Sequence, residues 1–235
     1  MSYPDAMLVG VAGAAAAGWA VVGAVRVRDH RPELALRGLL GGGAAFGVAF
    51  SAYELLEAAG LGLRWERLLE GGWSAAGAAL VIGLIEEGAK LAGIALAVRE
   101  TARRRAVMAV TLGVCAGFAA LESVTALSGV PAGPALTRAL LAPVAHALLA
   151  VPLGFSVALA AQRGWRAGLL IVPAALAVAA LLHGAGDLAL TVPRYGRLGF
   201  ATALAAPMLA LFLHDRRFAL QATHAQVPRD AAERR

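Results

Sequence analysis

The chain has 235 residues, 60% of them hydrophobic and 15% charged, with a formal net charge of +6. Soluble domains carry about 25% charged residues, so this composition, with a mean hydropathy of +0.71, excludes an ordinary soluble domain. It points to an all-α fold, a polytopic transmembrane helical bundle. The positive charge does not describe a nucleic-acid face, because the arginines lie between apolar runs and not along one stripe. They read instead as topology signals and contacts to lipid headgroups.

Seven apolar runs, near 7–25, 38–59, 73–98, 106–128, 139–161, 168–191 and 198–213, are candidate spans. Each approaches the roughly 17–25 residues needed to cross a ~30 Å hydrocarbon core. The first lacks a basic segment before it and is followed by arginines instead of a cleavage site, so it is expected to stay as a span. The second is glycine-rich and ends in Tyr53, Glu54 and Glu57, where it is expected to run out into the interface. Between Gly60 and Gly72, Leu63, Trp65, Leu68 and Leu69 stand among Arg and Glu, the pattern of a short amphipathic interfacial helix. Gly43 with Gly47, and Gly113 with Gly117, form small-xxx-small faces for close helix packing. Cys115 is the single cysteine, which rules out an intrachain disulfide and a Cys-based zinc site.

Residues 1–213 read as one membrane-embedded domain, with its polar motifs between 73 and 191, and residues 214–235 as a polar, partly disordered tail. Arginine placement sets the orientation. With the N-terminus outside, the inner loops collect Arg26, Arg28, Arg31, Arg37, Arg99, Arg103, Arg104, Arg105, Arg163 and Arg166, and the C-terminal flank adds Arg216 and Arg217. The outer loops hold only Arg64, Arg67, Arg138, Arg194 and Arg197. This asymmetry predicts the N-terminus outside and the C-terminus in the cytoplasm.

The third run is the centre of the sequence. Glu86, Glu87 and Lys90, the only lysine of the chain, interrupt an otherwise apolar helix. Insertion scales assign such residues about 2.5–3.5 kcal/mol each at mid-bilayer, so a simple anchor would not carry them. Glu86 and Lys90 share a helix face and can pair, which leaves one carboxylate in excess. Three following helices each add ionisable groups: Glu122, His146, and His183 with Asp187. Helical rise brings them to nearly one depth. His146, His183 and Glu122 form a set that can hold zinc or another divalent metal and leave a position for water. Glu86 or Glu87 would then act as general base, and Asp187 would orient His183 from behind. The same carboxylates and histidines can also support hydrolysis without a metal.

These residues carry a family resemblance. Glu86-Glu87-Gly-Ala-Lys90 matches an EExxK motif, Phe118-Ala-Ala-Leu-Glu122 an FxxxE motif and His183-Gly-Ala-Gly-Asp187 an HxxxD motif, with His146 in a separate histidine segment. In this order, over about residues 80–190, the chain resembles the PrsW family of bacterial intramembrane proteases, related to the CAAX-processing and bacteriocin-processing membrane proteases. The resemblance implies an intramembrane endopeptidase of the bacterial inner membrane, usually classed as a metalloprotease, acting on a membrane-anchored protein such as an anti-sigma factor. From the residues alone, two other functions stay open. One is a small transporter or proton channel using the same charges, although Pro143, Pro152 and Pro173 fall in no matched halves. The other is an inactive, protease-like adaptor, which would have had no reason to keep every motif residue.

Overall fold

The computed structural model describes residues 3–27, 32–63, 66–98, 103–126, 132–192, 196–205, 207–209 and 213. Among them the secondary structure is entirely helical: α1 (Tyr3–Val27), α2 (Pro32–Ala58), α3 (Glu66–Leu69), α4 (Gly72–Ala97), α5 (Arg104–Ala126), α6 (Ala132–Leu149), α7 (Val151–Arg163) and α8 (Trp165–Leu190). Residues 196–205 are also helical. The tail expected from residue 214 lies outside the described residues.

By length and apolar composition alone, three helices can cross a membrane: Glu33–Ala58 in α2, Arg104–Thr125 in α5 and Arg166–Leu190 in α8. A fourth span is supplied if α6 and α7 act as one, bent by 44° between Leu140–Leu149 and Val151–Arg163. The apolar run near 139–161 is thus carried by two helices, α6 and α7. Pro152 sits in the first turn of α7, where its missing N–H and ring leave the preceding helix unable to continue straight. Pro143 and Pro173 lie inside α6 and α8. Helix α4 is not among the apolar three because it carries Glu86, Glu87 and Lys90.

Helix α5 is the axle of the bundle. In its most apolar window 78% of residues are buried, against 17% for α2 and 22% for α8. It packs most extensively on α2 and α1, and also meets α4, α6 and α7. Its apolar core includes Val107, Val110, Val114 and Cys115, joined by Ile94 of α4 and Leu153 of α7. Many large apolar side chains of the outer helices, among them Leu40, Val48, Leu169 and Leu170, face outward. In water such a surface would drive aggregation, whereas lipid tails solvate it.

Glycine sets how closely these helices approach. Cβ atoms built on Gly42 and Gly117 would collide with the backbone carbonyls of Val114 and Leu39 respectively, and one on Gly38 would lie 2.9 Å from Val110 O. Gly113 and Gly117 of α5 thus meet Gly38 and Gly42 of α2. The pair Gly43 and Gly47, picked from sequence, does not do this work: Gly47 has nothing within 4 Å of an added Cβ. A second crossing joins α4 to α8, where an added Cβ on Gly83 would be 2.5 Å from Ala180 O and one on Gly184 2.8 Å from Ala79 O.

The segment between α2 and α4 holds a short helix, as expected. That helix is a single turn in which Leu69 is exposed and Leu68 is 1% exposed, packed with Ala78, Ala79 and Ile82 and against Tyr53, Leu63 and Leu188. Gly60, Gly71 and Gly72, which flank it, all have positive φ near 72°, a conformation that glycine takes without steric cost. Trp65 falls outside the described residues.

These close approaches give a direct expectation. Gly42→Ala and Gly117→Ala should each lower bundle stability by about 1–3 kcal/mol, the usual cost of overpacking. Gly47→Ala should be neutral within about 0.5 kcal/mol, as for sites without tight contacts. Thermal unfolding in detergent checks the contrast.

Candidate active site

Four helices bring their ionisable residues together. The α4–α8 glycine crossing puts Glu86 and Glu87 beside His183, and α5 and α6 supply Glu122 and His146 from the other side. Lys90 is fully buried at the centre. Its ammonium donates to Glu87 Oε1 at 2.8 Å and lies 2.7 Å from His146 Nδ1. It also stands 3.5 Å from Glu86 Oε2 and 4.5 Å above the centre of the Phe118 ring. Phe118 of the FxxxE motif thus adds the negative face of its π-system to the cage around the cation.

The hydrogen bonds around Lys90 set the histidine tautomers. An ammonium has only donors, so His146 Nδ1 accepts from Lys90, and in a neutral ring Nε2–H then donates to Glu122 Oε2 at 2.7 Å. His183 Nδ1 lies 2.8 Å from Glu87 Oε1, which as a carboxylate accepts from it. The Nε2 lone pair of a neutral His183 is thereby turned toward Glu86 Oε2 and Asp187 Oδ2, each 3.6 Å away. Both distances are too long for hydrogen bonds. Glu86 Oε2 is buried with no hydrogen-bond partner, while Glu86 Oε1 accepts from the Tyr53 hydroxyl at 3.2 Å. Two groups able to bind a cation or water, one nitrogen and one oxygen, therefore face each other across a short gap.

Glu86, His146 and His183 each offer one possible metal-ligand atom, and these atoms lie within 4.8 Å of one another. The set differs from the one expected from sequence, with Glu86 in the position given to Glu122. Glu122 Oε2 is engaged by His146 Nε2 instead. The residue behind His183 also differs. Glu87 holds its Nδ1, and Asp187 stands on the Nε2 side, because one helical turn from His183 leads along α8 while α4 crosses behind the ring. The donor set fits a divalent ion: two imidazoles, a carboxylate with an unpartnered oxygen, and a second carboxylate holding His183 in the ligating tautomer. Ligation by His146 would exchange one of its two hydrogen bonds.

Depth separates the carboxylates. Glu87 has a side-chain exposure of 0% and Glu86 9%, whereas Asp187 has 14% and Glu122 19%. Glu87 is held by Lys90 and His183 with no side-chain exposure, whereas Glu86 keeps a little. Tyr53 is the residue that sequence reasoning assigned elsewhere. Gly41, Ala45, Ala49 and Tyr53 recur every fourth residue of α2 and form the face that packs on α4, with Gly41 against Gly93 and Ala45 clustered with Ala89. Continued by one turn, that stripe leads to Glu86. The signal was present as a periodicity, but without a known partner helix it named no contact.

A family model described as PrsW family intramembrane metalloprotease matches residues 30–212. The match takes in every residue of this constellation, and it includes α2 with Tyr53, which lies ahead of the four sequence motifs. No curated protein and no solved structure gives a significant match. The chain therefore belongs to the PrsW family of intramembrane metalloproteases.

Proposed function

We propose that this protein is an endopeptidase that cleaves a single-spanning, membrane-anchored protein within the outer third of the bilayer of a bacterial inner membrane. Its centre would be Glu86, His146 and His183, supported by Glu87, Lys90, Glu122 and Asp187. The observation that carries this reading is the buried, unpartnered Glu86 Oε2 opposite the Nε2 of His183. A buried polar atom left without a hydrogen bond costs about 1–3 kcal/mol, and a bound cation beside the two histidines, whose ligand atoms lie within 4.8 Å of one another and of Glu86's, would offset that cost.

Glu86, His146 and His183 would hold the metal, zinc by donor type, and a divalent ion there supplies the Lewis acidity that eases deprotonation of a water. The other roles belong to the chain itself. Glu87 accepts the His183 Nδ1–H and keeps Nε2 directed at the reaction centre. Lys90 neutralises Glu87, so that the buried charge left over resides on Glu86. Asp187, at the more open side of His183 Nε2, stands where a carboxylate can take a proton from the attacking water. The same carboxylic acid can then return that proton to the leaving amine, while Glu122 holds the His146 ring through Nε2. Apolar helices around the centre strengthen each of these interactions by excluding bulk water.

Metal content separates this ligand set from the sequence-based one. Zinc should be near stoichiometric in detergent-purified wild type, fall in Glu86→Ala, His146→Ala and His183→Ala, and persist in Glu122→Gln, as read by elemental mass spectrometry. Loss in Glu122→Gln with retention in Glu86→Ala would reverse the assignment. Against a membrane-anchored reporter, Glu86→Gln and His183→Ala should lose at least ~10²-fold in cleavage rate, the low end for acid–base groups. Full cleavage by both variants would end the peptidase reading. Lys90→Met should destabilise the protein by about 3–5 kcal/mol, because it strands the Glu87 carboxylate. Glu87→Gln in the same chain should recover much of that stability but not activity, which thermal unfolding and reporter cleavage together resolve.

A further inference from the structure

We infer that Tyr53 is a positioning residue of this centre: its hydroxyl holds Glu86 by Oε1, so that Oε2 is the oxygen presented to His183 Nε2. The inference rests on the peptidase reading above and extends the site to α2, a helix that carries none of the four motifs. Tyr53 supplies the hydrogen bond that Glu86 makes, at 3.2 Å. The other polar neighbours of Glu86, Lys90 Nζ at 3.5 Å and His183 Nε2 at 3.6 Å, approach Oε2 without bonding it. The last torsion of a glutamate is soft and has no sharp rotamer wells. Without a donor on Oε1 the carboxylate plane would swing, and the oxygen facing His183 would lose its fixed direction.

The tyrosine is itself built into the bundle. Its ring packs against the cluster of Ala45, Ala49, Ala89 and Phe118 on one side and the cluster of Leu68, Ala78, Ala79 and Ile82 on the other. A phenylalanine would keep both contacts and lose only the hydroxyl. Outer-sphere donors of this kind change metal affinity or activity by about 10–100-fold when removed. The same hydroxyl serving only to satisfy itself would have no such effect.

The test is a thermodynamic cycle on the full-length, detergent-purified protein with Zn²⁺ as the probe, its affinity read by competition with a chromophoric chelator. Tyr53→Phe should weaken Zn²⁺ binding about 10–100-fold without lowering the unfolding temperature of the zinc-free protein. In a Glu86→Ala background the same change should have no further effect, because the group it acts through is gone. Affinity in Tyr53→Phe within twofold of wild type would overturn the inference and leave the peptidase reading intact. So would an equal loss in both backgrounds, which would signify packing and not positioning. Wild type that binds no Zn²⁺, while folded, would remove the metal reading and this inference with it.

Discussion

The structure depends on neutralising one ammonium inside a membrane bundle. Lys90 has no exposure, and it is met by Glu87 and Glu86 of its own helix, His146 of α6 and the ring of Phe118 on α5. Removing a buried charge's partner typically costs about 3–5 kcal/mol, so α4, α5 and α6 are tied to one register by a single cation. The pairing is unequal. Glu87 takes the short contact to Lys90 and the bond from His183. Glu86 accepts from Tyr53 and stands 3.5 Å from Lys90 and 3.6 Å from His183. Two neighbouring carboxylates with the same chemistry are thereby divided between different partners.

That division is possible because the helices come very close. Gly83 and Gly184 let α4 and α8 cross with backbone almost touching side-chain-free backbone, which brings His183 onto the Glu86–Glu87 face. Gly38, Gly42, Gly113 and Gly117 do the same for α2 and α5, and the alanine stripe of α2 extends the approach to Tyr53 and Glu86. In lipid there is little hydrophobic force between helices, so packing through small residues and polar contacts between helices must supply the association. Here the two are combined: small residues bring the helices together, and the polar cluster fixes how they slide. The bend at Pro152 then lets α7 pack on α5, with Gly154 against Met108 and Thr111, while α6 presents His146 to the centre.

The same arrangement bears on the proposed metal chemistry. A neutral histidine becomes a good ligand when its other nitrogen donates to a carboxylate, as His183 Nδ1 does to Glu87, whereas His146 has both nitrogens engaged, Nδ1 by Lys90 and Nε2 by Glu122. His183 is held by Glu87 and His146 by Lys90. One helix therefore sets the tautomers of two residues far away in sequence, and Phe118 packs beside His146, whose ring in turn meets that of His183. The three rings form a short row along the polar cluster.

What the sequence determined by itself was the helical class, the approximate extent of the main helices, and the identity of Glu86, Glu87, Lys90, Glu122, His146, His183 and Asp187 as the polar residues to explain. These were legible because a charged side chain in an apolar run is costly, which makes each one conspicuous without a partner in view. Residue roles were not legible in the same way. That Glu87 bonds His183 Nδ1 while Asp187 lies on the Nε2 side, that Glu86 lies near both histidines while Glu122 bonds His146, and that Tyr53 bonds Glu86 all depend on how α2, α4 and α8 cross. So do the break at Pro152 and the choice of Gly38 and Gly42 over Gly43 and Gly47. Helical periodicity assigns residues to faces, but which face meets which neighbour is set by the packing of the whole bundle, and only the tertiary structure decides it.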